Sequence, residues 1–160
     1  MQIAERAKQP WKANPMYTLD ASVWLREATP IDPAYHTCHA LLAALLARAA
    51  PLYEPWLLLA EVGGSVSRLL RDPIRSRLYT EIVRTFPNTT FVALDEPLAR
   101  ETSDLAADYF LRGADALYAA VARRHGCVLI SLDAEHHQRL GAILTILTPT
   151  GALAALNDTP

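Results

Sequence analysis

Two short apolar runs in this chain each close on an aspartate. Met16-Tyr17-Thr18-Leu19 ends at Asp20, and Cys127-Val128-Leu129-Ile130-Ser131 is followed, one residue on, by Asp133. Both runs read as strands buried on both faces. Helical stretches alternate with such runs along the chain. That alternation demands a parallel sheet covered by helices on both sides, an α/β/α sandwich of three layers. Open sheets of this kind bind ligands in the crevice outside the carboxyl ends of their strands. Asp20 and Asp133 fall in that position.

The remaining punctuation divides the chain without repeats, low-complexity tracts or internal linkers. Asp32-Pro33 predicts a cap with proline at the first helical position, opening a helix to about Ala50, where Pro51 stops it. Residues 52–56 form a weak strand. Leu58, Val62, Val66 and Leu69 recur at near-helical spacing and predict a helix over 57–71. Asp72-Pro73 restarts a helix to about Phe86, residues 89–94 are a β-branched and aromatic strand, and a helix over 96–111 follows. Another helix opens at Gly113 and ends in Arg123-Arg124-His125-Gly126, cations in the last turn and then a glycine stop. A short helix over 134–140 and a strand over 143–147 complete the pattern.

Composition narrows the function. At 160 residues, 51% hydrophobic and 20% charged, the chain suits one globular domain with a sizeable core. A formal net charge of -2 leaves only a local basic patch for binding a polyanion. Cys38 and Cys127 fall in an expected helix and a buried strand, as free thiols of a reducing compartment would. The first residues carry Glu5, Arg6, Lys8 and Pro10 without an apolar core, so no signal peptide is expected. No stretch is long enough to cross a bilayer: segment 41–50 is interrupted by Arg48 and ends at Pro51. The cytoplasm is the expected compartment.

Two further acids join the aspartates. Glu61 lies inside the apolar stretch Leu57-Leu58-Leu59-Ala60-Glu61-Val62, and Asp115 sits in the first turn of the helix opened by Gly113. Carboxylates in apolar surroundings are costly unless a cation compensates them, and a divalent metal ion is the simplest candidate. Asp20 and Asp133 also have a structural role open to them as helix caps, and Asp115 suits the positive end of its helix dipole. Glu61 has no such role. Acids drawn from separate elements suit Mg²⁺ or Mn²⁺, hard cations that take carboxylate oxygens and keep waters for substrate phosphates.

Other residues carry weaker signals. His36 and His39, with Cys38 nearby, lack a second ligand pair at zinc spacing and read as a helix face. His136 and His137 follow Asp133 and point in different directions on a helix, so at most one would face a substrate. Glu135 is a candidate auxiliary acid. Trp11, Trp24 and Trp56 read as packing residues. Arg68, Arg71, Arg75 and Arg77 form either a basic flank or an ordinary solvated helix face. Arg112, three residues before Asp115, is the better candidate for contacting phosphate.

Asp20-Ala21-Ser22, Ala60-Glu61-Val62, Arg112-Gly113-Ala114-Asp115-Ala116 and Ser131-Leu132-Asp133, in this order, resemble the motifs of the PIN-domain nucleases, and most closely those of the VapC-type ribonuclease toxins of bacterial and archaeal toxin–antitoxin pairs. The resemblance covers residues 16–150 as a PIN-like nuclease domain. It leaves residues 1–15 as a flexible N-terminal leader and 151–160 as a C-terminal tail. It implies that Asp20, Glu61, Asp115 and Asp133 are the catalytic, metal-binding quartet, that Ser22 supports the first acid and that Ser131 takes the place of a usual Thr or Ser. The chain departs from the pattern at Gly63-Gly64 directly after Glu61. Glycine inside a helix costs about 1 kcal/mol per residue, which points to a kink or close packing.

The activity implied is hydrolysis of RNA phosphodiester bonds with Mg²⁺ or Mn²⁺ as cofactor. The resemblance also implies a homodimer masked by a small antitoxin protein. The apolar segment 41–50, with Tyr35 and Trp56, is the expected source of interface surface. Three alternatives compete. A PIN nuclease of general RNA processing would have no antitoxin. A non-catalytic PIN-like module would bind RNA or protein without needing the acids. A phosphotransfer enzyme with Asp20 as nucleophile would want an acid at position 22, which is Ser, and a lysine, whereas Lys8 and Lys12 are the only lysines.

Overall fold

A computed structural model describes residues 15–158 of the chain. The expected leader therefore lies, apart from Pro15, outside the described residues. Five parallel strands, β1 (Tyr17–Leu19), β2 (Leu52–Pro55), β3 (Thr89–Val92), β4 (Val128–Ile130) and β5 (Ile146–Leu147), form one sheet in the order β3-β2-β1-β4-β5. Eight helices accompany them among the described residues: α1 (Ala21–Glu27), α2 (Tyr35–Ala47), α3 (Leu57–Leu70), α4 (Pro73–Arg84), α5 (Glu96–Tyr109), α6 (Gly113–His125), α7 (Ala134–Leu140) and α8 (Pro149–Asn157). The chain steps outward from β1 to β3 and then returns across the sheet to β4. Because such crossovers are right-handed, α1 to α4 cover one face and α5 and α6 the other, the three layers expected. The direction of winding reverses between β1 and β4, so the crevice for ligands opens there.

The middle of the sheet is built from short apolar strands with no wet face. β1 and β4 are buried throughout. Helix α6 lies across β1, β2 and β4 and under α5. Its residues 116–122 are all buried, so it is apolar around most of its circumference, and its alanines let the sheet approach closely. Gly126 ends α6 in the left-handed conformation (φ 65°), as the basic last turn and glycine stop predict. Cys38 and Cys127 are free and buried, and burial pushes both thiols up to about 11, which leaves them unreactive at neutral pH.

Several boundaries differ from the sequence reading. Asp32 does not cap α2: its Oδ1 accepts from the Ala34 N–H at 2.8 Å and its Oδ2 pairs with Arg26 at 2.9 Å, a turn that delays the helix to Tyr35. The last strand starts at Ile146 rather than residue 143, because the Ile143 and Leu144 N–H groups bond back to Leu140 O as a turn. Residues 151–157, expected as tail, belong to α8, which Thr148 caps from its side chain and Pro149 opens. This helix packs on α2, and Arg48 donates to Leu156 O at 2.9 Å.

Segment 41–50 presents only part of the apolar surface expected of it, with Trp56 half exposed nearby. Leu41, Leu42 and Leu45 are buried in the core, while Leu46 is half exposed. A run of exposed apolar side chains, Leu69, Ile74, Leu78 and Ile82, lies on the α3–α4 hairpin. Gly63 serves that hairpin by close packing. A Cβ there would sit 3.3 Å from Thr80 Oγ1, and Ser76 donates to Gly63 O at 2.6 Å. Among the described residues no helix is long and apolar enough to cross a membrane.

Candidate metal centre

Asp20 follows β1 with its side chain buried at 6% exposure. Its backbone N–H joins β4 through Ile130 O at 2.9 Å, which brings the carboxyl ends of β1 and β4 together. Oδ2 accepts from the Ser22 N–H and from the Ser131 hydroxyl, each at 3.2 Å. The cap role and the site role are therefore held by one side chain. Ser22 supports this arrangement through its hydroxyl as well, which accepts from the Leu132 N–H at 3.2 Å and ties α1 to the β4–α7 loop.

Asp115 reaches the same crevice from the first turn of α6. Its Oδ1 lies 3.8 Å from His136 Nε2. One ligand atom each from Asp20, Asp115 and His136 lie within 4.8 Å of one another. Burial raises the Asp115 pKa, the charges of Asp20 and Asp133 add to the rise, and His136 and Arg112 oppose it. Glu61 stands beside this group on α3. Its pKa is raised by burial first and then by Asp20 and Asp115, against the hydrogen bond that Tyr118 OH donates to Oε2 at 2.5 Å. Asp133 caps α7 through the Glu135 N–H at 2.8 Å, and its own N–H donates to Ser131 Oγ at 3.0 Å. Its charge reaches Asp115, but it is not within the compact group of three.

The weaker candidates separate. Arg112 is exposed at the cap position of α6, and its charge favours ionised Asp115. Glu135 is paired with Arg139 at 3.2 Å. Arg75 pairs with Asp72 at 3.4 Å and Arg68 donates to Ser65 at 3.0 Å, so two of the four hairpin arginines are already engaged. His39 pairs with Glu27 at 3.0 Å. Trp24 is core, whereas Trp56 is half exposed and stacks on Phe91. Trp11 lies outside the described residues.

Three residues of the site have little or no signal in the sequence. His136 is 1% exposed and faces Asp115, while its neighbour His137 turns to Ser131 O at 2.9 Å. Tyr118 anchors Glu61 from within the buried face of α6. Glu54 is fully buried in β2. Its Oε1 accepts from the Leu19 N–H at 2.8 Å and its Oε2 has no partner among the described residues. Burial, with the charge of Asp20 added, pushes its pKa well above the usual carboxylate range, against the pull of the Leu19 N–H. A glutamate in the middle of an otherwise apolar parallel strand is the sequence signal that could have singled it out.

The fold and the site together define a parallel α/β domain with a cluster of acidic side chains at its switch point. The sequence matches the PIN domain over residues 17–142, most of the chain, and the chain belongs to that family. Solved structures share the fold. PAE2754 from Pyrobaculum aerophilum is 22% identical, with a TM-score of 0.65 over 92% of this chain and 98% of that one. VapC20 of Mycobacterium tuberculosis, described as a sarcin–ricin loop cleaving toxin, is 16% identical, with a TM-score of 0.64 over 81% and 96%. A toxin–antitoxin complex from Klebsiella pneumoniae is 16% identical, with a TM-score of 0.61 over 83% and 97%. No curated protein sequence matches the chain.

The donor set fits a divalent cation. Two carboxylates and an imidazole from different elements bring ligand atoms within 4.8 Å of one another, and His136 Nε2 is buried without a hydrogen-bond partner among the described residues. Such a set has no internal neutralising cation except protons.

Proposed function

We propose that this chain is a divalent-metal-dependent endoribonuclease, the toxin of a toxin–antitoxin pair, with Asp20, Glu61, Asp115 and Asp133 as its acids. The observation that carries the reading is the convergence of Asp20, Asp115 and His136 to within 4.8 Å at the carboxyl ends of β1 and β4. Membership of the PIN family and the toxins among its neighbours in fold support it. Mg²⁺ or Mn²⁺ held there would lower the pKa of a bound water and neutralise charge developing on the phosphodiester. Asp20 and Asp115 would hold the cation directly. Glu61, fixed by Tyr118, and Asp133, fixed at the cap of α7, would orient water and accept its proton. Arg112 is exposed next to Asp115 and can hold a non-bridging phosphate oxygen. Purified protein should cleave single-stranded RNA in millimolar Mg²⁺ or Mn²⁺ and be silent in excess chelator. Equal cleavage in both would remove the metal from the mechanism.

The partner follows from the α3–α4 hairpin. Ile74, Leu78 and Ile82 recur every fourth residue along α4 and are 66%, 63% and 58% exposed. Leu78 and Ile82, with Leu70, edge a shallow apolar depression that also contains Val66 and Tyr79. An amphipathic segment of a small antitoxin suits such a ridge, since helix-in-groove docking reads anchors at this spacing. A homodimer is the proposed state of the free protein, checked by sedimentation. Leu78→Arg should weaken antitoxin binding by at least about 30-fold, the effect of losing a central apolar anchor. Cleavage by the isolated variant should be unchanged. Full-strength binding by Leu78→Arg would move the partner to another surface.

A further inference from the structure

His136 is unlike the acids around it, and the hydrogen bonds at Ser131 place a proton on one of its ring nitrogens. A serine hydroxyl has one proton to donate and two lone pairs to accept with. Ser131 Oγ lies 3.2 Å from Asp20 Oδ2, 3.0 Å from the Asp133 N–H and 2.8 Å from His136 Nδ1. The carboxylate can only accept, so the single proton goes to Asp20. The Asp133 N–H can only donate, so it takes one lone pair. The last lone pair must accept from His136, which places a proton on Nδ1. A neutral His136 then carries its free lone pair on Nε2.

Nε2 is buried, has no hydrogen-bond partner among the described residues, and faces Asp115 Oδ1 at 3.8 Å. Two acceptors opposed in a buried site call for something positive between them. We propose that His136 Nε2 is a nitrogen ligand of the cation site it forms with Asp20 and Asp115, and that it biases this site toward a first-row transition ion such as Mn²⁺ over Mg²⁺. Imidazole suits transition ions, whereas Mg²⁺ prefers oxygen ligands throughout. The Nδ1–H to Ser131 bond supplies the support that metal-bound histidines require. It fixes the tautomer and the ring plane from behind. Ser131 thereby orients both an acid and the imidazole of the site through one hydroxyl. This inference rests on the cation reading of Asp20 and Asp115 and adds to it the identity of the third ligand.

The test uses the full chain with Mn²⁺ and Mg²⁺ as probes, without RNA. Electron spin echo spectra of bound Mn²⁺ should show modulation from a directly ligated ¹⁴N, changing to the ¹⁵N pattern in protein labelled at histidine. His137→Gln should keep the signal and His136→Gln should lose it. Calorimetric titration should show the preference for Mn²⁺ over Mg²⁺ falling on the order of tenfold in His136→Gln. The wild-type spectrum is decisive even if the His136 variant folds poorly. If Mn²⁺ binds, is lost in Asp20→Asn, and shows no nitrogen modulation, the inference fails and the acid site stands. His136 is then an imidazolium paired with Asp115. If wild type binds neither ion at millimolar concentration, the cation reading fails with it.

Discussion

Asp20→Asn should reduce RNA cleavage by at least about 10³-fold, roughly 4 kcal/mol of barrier, while the protein stays folded. Asparagine keeps an oxygen where Oδ2 accepts from Ser22 N–H and Ser131, so the cap on α1 and the link to β4 persist. What it removes is the charge. A cap replaced by a near-isostere changes stability by no more than about 1 kcal/mol. Melting temperature and cleavage rate should therefore part company. Residual activity within tenfold of wild type, in protein of equal melting temperature, would make Asp20 a structural cap and nothing more.

The second large effect is a reversal of stability by metal. Asp115 holds its proton more tightly folded than unfolded, because of burial and the neighbouring charges of Asp20 and Asp133. Its contribution to stability is therefore complete below its unfolded pKa and is lost as pH rises through the raised folded value. In chelator at neutral pH, Asp115→Asn should melt above wild type. That advantage should shrink as pH falls into the ordinary aspartate range. Saturating Mn²⁺ should invert the order. At a hundred times its dissociation constant, a ligand bound only to the folded state adds roughly 2.7 kcal/mol. For a chain of this size that is on the order of 5–10 °C. Wild type should gain it and Asp115→Asn little of it. A thermal shift series in chelator, Mg²⁺ and Mn²⁺ reads both halves. A variant that melts lower in chelator and responds to metal as wild type does would return Asp115 to the helix dipole.

Much of the architecture is legible because local chemistry and global topology agree. Asp72-Pro73, Asp95-Glu96-Pro97 and the glycine at 126 mark helix ends that the fold uses as ends. Asp32-Pro33 carries the same signal as Asp72-Pro73 but closes a turn, its Oδ1 taking the Ala34 N–H and its Oδ2 pairing with Arg26, and α2 begins only at Tyr35. Thr148-Pro149 was equally readable as a helix start, and α8 begins there. Asp20, Glu61, Asp115 and Asp133 are legible because carboxylates are conspicuous in apolar runs, a signal that Glu54 carries too although the sequence reading passes it over. Their companions are not. The role of His136 depends on which way one ring of two adjacent histidines turns and on how three contacts divide one serine hydroxyl. Tyr118 points at Glu61 across 57 residues of chain. No local pattern encodes such meetings.

Strands β1 and β2 begin as a regular parallel pair, with the Tyr17 N–H bonded to Pro51 O. Two residues later the Leu19 N–H bonds to the Glu54 carboxyl, and Tyr53 O is taken by the Thr18 hydroxyl. A backbone ladder would have the same geometry whatever its side chains. Here the last rung before Asp20 is written in replaceable residues. The seat of the first acid can thus be retuned by exchange at Thr18 or Glu54 without redrawing the sheet. In a lineage of such proteins, the aim of the site and the integrity of the scaffold could drift independently.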